Sequence, residues 1–388
     1  MSSAHTRMHV YERAAVFLRG FRAAASLHCH TYHSKEVLTF IPQYAAMIPI
    51  ISRLFEKGLD RHLALHGKPI DFAQAYWTPP VSPRQVLEVE TLQIEKELGL
   101  PAFVSITDHD NIEAGLRLSM LDRVNRIPIS LEWTAPYGPG FFHLGIHNLP
   151  QESAADIAGA LAGYTRRDEN AMKLEEIFEL LNESSETLIV LNHPLWDLEF
   201  IGAEEHIKNL SDFLAEHSRW IHALEVNGFQ SWRENKGVMR LAGDLGFPVV
   251  AGGDRHGCQP NTMLNLTRAN SFAEFVAEVR EDMRNEILLM PEYRESLVAR
   301  TIEGVAEVLR HYPNHPLGRT KWTERIFADI GDGYQTCPIS SHWPNGGPAW
   351  VRASLWFLRI LGSRRLQPAL RLALANEISI GERVGYEI

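Results

Sequence analysis

The chain has 388 residues, 45% of them hydrophobic, and a formal net charge of -10. That is enough apolar matter for one large core or two moderate ones, which excludes disorder and fibrous repeats, and the acidic balance excludes duplex nucleic acid gripped mainly through its phosphates. Cys29, Cys258 and Cys337 lack CxxC spacing and lie too far apart for a disulfide framework; with no signal-like apolar core in the first residues, the expected location is the cytoplasm.

In chain order, the first strand candidate, AAASLHCH at 23–30, delivers three histidines into the eight residues LHCHTYHS. The stretch VLTFIPQYAAMIPIIS at 37–52 is shorter than the ~20 residues of a membrane span and holds Pro42 and Pro49, so residues 37–80 read as an inserted helical cap beside a site, with no membrane partner. SPRQVLEVETLQIEKELG at 82–99 carries helix signals at both ends: Ser82 suits the N-cap, Pro83 the first turn and Gly99 the stop. The further strand candidates are AFVSITDHD, IPISLEW, GFFHLGIHN, TLIVLNHP, ALEVNG and FPVVAGGDRHG, runs of mostly β-branched or aromatic residues. Amphipathic segments such as DENAMKLEEIFELLNE, EEHIKNLSDFLAEH and SFAEFVAEVREDMRNE separate them. Strand alternating with helix predicts parallel pairing through right-handed crossovers, hence an α/β sheet or barrel. After about residue 295 the sequence turns helix-rich; Trp343, Trp350 and Trp356 lack ligand-like spacing there and read as packing or an oligomer contact.

Polar residues collect at the C-terminal ends of the strand candidates: His28 and His30, Asp108 and His109, Glu132, His143, His193, Glu225, Asp254 and His256. In α/β folds loops converge at that edge, and sites are built there. Residues two apart on a strand share a face, so His28 and His30 aim at one point, while Cys29 points into packing and His33 lies beyond the strand in an exposed loop. TDHD puts three ionisable groups into four residues at the end of an apolar strand, which needs cations or mutual hydrogen bonds to offset desolvation; Asp110 is also placed to cap the next helix. Mixed imidazole and carboxylate donors suit zinc, manganese or iron better than magnesium or calcium. Two such ions can hold a bridging hydroxide, lower the pKa of bound water towards ~7 and stabilise a leaving oxygen in hydrolysis.

Seven elements occur in order: HCHTYHS (28–34), TDHD (107–110), ISLEW with Glu132, FFHLGIH with His143, LNHP with His193, ALEVN with Glu225 and Asn227, and GGDRHG with Asp254 and His256. Over roughly residues 24–290 the chain thereby resembles the PHP family, the polymerase and histidinol phosphatase group of metal-dependent phosphoesterases. The resemblance implies a distorted (β/α)7 TIM-like barrel over residues 20–295, with a helical insert at about 37–80 and a helix-rich C-terminal extension at 296–388. It implies two or three divalent ions held by His28, His30, His109, Glu132, His193, Asp254 and His256, with Asp108 and His143 as further members. Where the family often has an acid after the first motif this chain reads SKE, so either Glu36 substitutes as ligand or Lys35 contacts substrate phosphate. His147, where the family usually has an aromatic residue, reads as lying behind the ligands or facing substrate. Glu225 is a ligand or a partner orienting a histidine.

Such a centre also needs a cationic clamp and a proton source. Arg255, between two ligand candidates, is the first choice for the clamp and Lys35 the second, with Arg166 and Arg167 as outsiders; His143 completes the candidate catalytic set. Trp196 and Asp197 follow His193 and Pro194 on a loop expected to face the site, where the ring stacks on a base or sugar or fills the barrel rim. The leading reading is hydrolysis of a small phosphomonoester or nucleotide. The alternatives are a nuclease acting on nucleic-acid ends, against which the acidic charge counts, and a catalytically impaired metal-binding scaffold in which SKE marks a damaged site.

Overall fold

The computed structural model describes residues 4–12, 16–46, 49–121, 127–329, 336–363 and 366. Parts of three expected regions, 122–126 of the barrel, 47–48 of the insert and 330–335, 364–365 and 367–388 of the C-terminal extension, lie outside the described residues. The strands are β1 (His5–Val10), β2 (Ala23–Cys29), β3 (Glu36–Val37), β4 (Tyr76–Trp77), β5 (Ala102–Val104), β6 (Leu131–Tyr137), β7 (Gly140–His147), β8 (Leu188–Leu191), β9 (Ala223–Asn227), β10 (Val249–Arg255), β11 (Met263–Thr267), β12 (Arg284–Leu289), β13 (Ile326–Ala328) and β14 (Cys337–Pro338). The helices are α1 (Phe40–Ala46), α2 (Pro49–His66), α3 (Pro83–Leu98), α4 (Glu113–Leu121), α5 (Ala154–Arg166), α6 (Leu174–Asn182), α7 (Ala203–His217), α8 (Trp232–Leu245), α9 (Phe272–Arg280), α10 (Leu297–Val308) and α11 (Ala349–Leu361). No described helix is long and apolar enough to cross a membrane.

The apolar runs become strands covered on both faces. In β2, Ala23, Ala25 and Leu27 join one cluster with Val190, Ala223 and Val250, while Ala24 joins another with Ile94 and Leu264. Two-sided cover is why the sequence shows continuous apolar runs rather than alternation. The α3 signals act as read: Ser82 Oγ accepts from the Gln85 amide at 3.2 Å, the Gln85 side chain accepts from the Ser82 amide at 3.0 Å, and Gly99 stops the helix at φ 67°.

Ten strands form one mixed sheet in the order β1-β12-β11-β2-β10-β9-β8-β7-β6, with β5 on β2. β5–β2, β2–β10, β10–β9 and β9–β8 are parallel, as strand–helix alternation predicts. β7 departs from that expectation, running antiparallel to both β6 and β8. The reason is local: Tyr137 pairs with Gly140, and a two-residue turn with Gly138 at φ 55° leaves no room for a crossover. Three further strands, β1, β11 and β12, extend the sheet beyond the seven candidates. The segment SFAEFVAEVREDMRNE is helical only to Arg280 and then enters β12. At the far side, the chain leaving β5 meets β6 through a single parallel bridge between His109 and Glu132, with Asp110 N donating to Glu132 O at 2.8 Å.

A second, four-stranded sheet has the order β14-β13-β4-β3. The segment at 37–80 is therefore not purely helical: β3 and β4 pair antiparallel at its two ends, and β13 from the C-terminal region adds to β4. Fully buried Arg325 pins this C-terminal segment, donating through Nη1 to the carbonyls of Arg319 and Thr320 (3.0 and 3.1 Å) and through Nη2 to those of Val308 and Arg310 (2.7 and 2.9 Å).

Candidate metal centre

The C-terminal ends of β2, β8 and β10, the loop after β5, β3, the middle of β7 and the start of β6 bring six histidines and three carboxylates together; Glu132 stands at that start rather than at the C-terminal end expected of its strand. Glu132 sits centrally. Its Oε2 lies 3.0 Å from His28 Nε2, 3.5 Å from His30 Nε2 and 3.4 Å from His109 Nδ1, and its Oε1 lies 3.2 Å from His193 Nε2 and 3.3 Å from His143 Nδ1. Asp254 Oδ1 lies 3.6, 3.5 and 3.7 Å from His28, His30 and His256. Glu36 reaches His109 at 3.1 Å with Oε2 and His256 at 3.3 Å with Oε1. Overlapping trios, such as His28 with His30 and Glu132 or His30 with Glu36 and His109, place their ligand atoms within 4.8 Å of one another.

The backbone is bent to achieve this. His28, His193 and Asp254 sit at φ 65°, 30° and 51°, in the left-handed region that side chains avoid. The β2–β10 register shifts between Gly252 and Arg255, so a bulge turns Asp254 inward. Each such residue costs of order 1–3 kcal/mol and persists only where its surroundings hold it, a pattern that marks sites. Glu225 does part of the holding: its Oε2 accepts from His28 Nδ1 at 2.7 Å, leaving His28 Nε2 towards the centre, and its Oε1 accepts from Asn227 Nδ2 at 2.9 Å. Gly252 is required here, because a Cβ at that position would collide with Glu225 Oε2. Asn192 Nδ2 donates to Glu132 Oε1 at 2.9 Å, and Ser34 Oγ donates to Glu36 Oε1 at 2.7 Å.

The electrostatics call for positive charge. Burial pushes the carboxyls of Glu132, Glu36 and Asp254 up, yet the neighbouring imidazoles outweigh it and hold all three well below the usual range. Burial likewise pulls the imidazoles of His28 and His256 down, and the carboxylates beside them outweigh it and hold both above the ordinary value; His109, under the same opposition, is raised to about 10. His30 and His143 go the other way, to about 4, because burial dominates. His30 Nε2 and His143 Nδ1 are buried without a hydrogen-bond partner. Ionised carboxylates amid imidazoles with unused nitrogen atoms fit divalent cations, which replace protons as the balancing charge.

Several expected roles are corrected by placement. Arg255 is not aimed at the centre: it is 3% exposed, its Nε lies 2.8 Å from Glu90 Oε1, and Nη1 donates to the Gln259 carbonyl. Strand alternation accounts for this, since Asp254 faces inward and its neighbour must face out. Lys35 is exposed and lies 5.2 Å from the Tyr76 ring centre, whereas Glu36 enters the cluster, so of the two readings of SKE the geometry favours Glu36. Asp108 is absent from the clustered trios; Thr31 takes up both its oxygens, the hydroxyl donating at 2.7 Å and the amide to the other oxygen. Burial raises its carboxyl to about 7, opposed by the two bonds from Thr31. His143 joins the cluster beside Glu132 rather than standing apart as a proton source. Asp110 Oδ1 accepts from the Thr134 amide at 2.9 Å, so it braces β6, and the amide of Glu113 is bonded instead by Asn111 Oδ1 at 2.8 Å. His147 lies behind the ligands, sharing a 2.8 Å hydrogen bond with Ser105 Oγ, and burial lowers it to about 3. His33 is partly buried rather than exposed. Asp197 accepts from the amides of Ile201 and Gly202 at 3.0 and 2.8 Å and so shapes its own loop.

Some supporting residues escaped the sequence reading. Ser34 and Asn192 stand inside the motifs HCHTYHS and LNHP, but nothing in those strings assigns them the role of holding a carboxylate. Glu90 did leave a signal: it occupies a core position of the stripe Val86, Glu90, Ile94 and Leu98 on α3, where a charge must have a buried partner.

No protein-family model matches the chain, and no curated protein matches it. Among solved structures it is similar to PsfC from Pseudomonas syringae PB-5123, at 17% identity and TM-score 0.36, over 54% of this chain and 83% of that one. It is also similar to a provisionally assigned metal-dependent phosphoesterase from Bifidobacterium adolescentis, at 14% identity and TM-score 0.30, over 52% and 91%. Likeness at this level transfers no residue roles, so the chemistry has to be read from the donors themselves.

Proposed function

We propose that this protein hydrolyses phosphate esters at a centre holding more than one divalent ion, within a PHP-type barrel that closes through the His109–Glu132 bridge. The observation that carries this reading is the position of Glu132: one buried carboxylate faces His28, His30 and His109 through one oxygen and His143 and His193 through the other. It belongs to two of the overlapping trios, one with His28 and His30 and one with His109 and His143. The proposed ligands are His28, His30, Glu36, His109, Glu132, His143, His193, Asp254 and His256. Ions bound there would supply an activated water and positive charge for the phosphoryl oxygens, and the donor set favours zinc, manganese or iron.

The chain's own contribution is positioning. Glu225 fixes the tautomer and ring orientation of His28, while Asn192 and Ser34 hold the carboxylates of Glu132 and Glu36 before any substrate arrives. Asp108, through Thr31, fixes the turn that follows His30. His28, His30 and Glu132 are shut from water, whereas the side chains of His109, His143 and His256 are 14%, 11% and 16% exposed. Substrate therefore enters on the side of those three rings.

The test is metal content measured together with phosphate release from a panel of phosphomonoesters. The purified protein is expected to carry zinc, manganese or iron, to lose activity on chelation and to regain it on metal return. His30→Ala and His256→Ala should each lower kcat/KM by on the order of 100-fold and release part of the metal. Protein that keeps its ions yet leaves every ester untouched under several added divalent cations would replace this reading with the metal-binding scaffold.

A further inference from the structure

Four aromatic rings stand against the candidate ligands from outside. Trp77 and Phe229 lie 5.4 and 6.1 Å from His256, Phe141 stacks on His143 at 5.0 Å, and Trp196 meets His193 edge-on at 5.4 Å, measured between ring centres. They come from four separate places: β4, the loop after β9, β7 and the loop after β8. All four are partly exposed. His143 and His256 are also among the more open histidines of the centre, so the rings flank the side from which substrate approaches.

Among the described residues, every ion pair made by Glu36, Glu132 and Asp254 is to a histidine. Of the two cations next to these acids in sequence, Arg255 is held by buried Glu90, while exposed Lys35 lies 5.2 Å from the Tyr76 ring. Flat apolar surface on a substrate would be received on the approach side by aromatic faces and edges.

From this we infer that the preferred substrates are phosphate esters whose alcohol carries a flat, largely apolar ring, with Trp77, Phe141, Trp196 and Phe229 forming the collar that receives it. The inference rests on the phosphoesterase reading above and adds the half of the substrate that reading leaves open. The phosphoryl group sits at the carboxylate–histidine centre and the ring lies between collar residues, so ring recognition acts mainly on KM.

Leaving-group chemistry has to be kept constant in the test, so the probes are 3-phenylpropyl phosphate and propyl phosphate, whose alcohols have nearly equal acidity. With metal-supplemented full-length protein, kcat/KM for the phenylpropyl ester is expected to exceed that for the propyl ester by about tenfold or more, carried by KM. Trp196→Ala and Trp77→Ala should each shrink that ratio several-fold, and Trp196→Phe should retain most of it. A ratio near one in the unsubstituted protein, or one that neither alanine substitution moves, overturns the collar while leaving the phosphoesterase reading intact. Failure to cleave either ester, or any other phosphomonoester, overturns both. Because the readout is a ratio within one protein preparation, partial loss of folded material in a variant does not alter it.

Discussion

A single hydrogen bond decides which nitrogen His28 offers. With Nδ1 donated to Glu225 at 2.7 Å, only Nε2 is left facing Glu132. Glu225→Gln weakens that control and lowers the basicity of the ring, so metal affinity should fall 10- to 100-fold, with activity recovering at high metal concentration; unchanged affinity in a metal titration would show that His28 is no ligand. The SKE departure gives a paired prediction. Glu36→Ala should lose metal and activity together, whereas Lys35→Ala should stay within a few-fold of the parent, and the reverse order would restore Lys35 as the phosphate contact. Arg255 and Glu90 form a buried pair, so Arg255→Met alone should cost about 3–5 kcal/mol in denaturant unfolding by leaving Glu90 uncompensated, and adding Glu90→Leu should recover most of it. At this scale residue types were legible, because HCH, TDHD and GGDRHG are compact strings; the face each side chain takes was not. Arg255 shows why: its neighbours enter the centre, and one step along the strand reverses the direction.

Elements bring their own titration behaviour. Between β8 and β9, His222 Nδ1 accepts from the Ile189 amide at 2.9 Å and its Nε2 bonds Asn182 at 3.0 Å, an arrangement only the neutral ring can make. Burial lowers its pKa to about 3, with Arg280 adding to the effect. A depressed histidine stabilises the fold above its unfolded value near 6.5, and that contribution drains as pH falls towards 3, since the unfolded chain takes up the proton first. From pH 7 to pH 5 the loss through this group should be about 2 kcal/mol. His222→Asn keeps an acceptor for Ile189 and removes the titration, so its urea stability should fall less over that interval; equal falls in both proteins would refute the assignment. Helix α3 was readable to the residue, as its cap lies within four positions of chain. The direction of β7 was missed because a strand's partners depend on the length of the connection, and the two-residue turn at 138–139 lay unnoticed between two apolar runs.

Across the whole molecule, the C-terminal region belongs to the site's surroundings. β13 pairs with β4, β4 with β3, and β3 begins with Glu36. Arg325 secures that segment through four carbonyl bonds, so Arg325→Ala should cost at least about 3 kcal/mol and open residues 308–328 to limited proteolysis. Metal affinity should drop with it, because Glu36 loses its sheet support; retained affinity in a proteolysed variant would separate the two regions. By itself the sequence determined the inventory: apolar runs ending in histidines and acids, and helix caps, all written over neighbouring residues and therefore visible to local physics. Only the tertiary structure decided pairing direction, the union of the insert with the C-terminal segment, and which oxygen faces which ring. Those depend on contacts such as His28 to Glu225, separated by 197 residues. Desolvation and packing select such contacts over the assembled core, and no short stretch of chain encodes them.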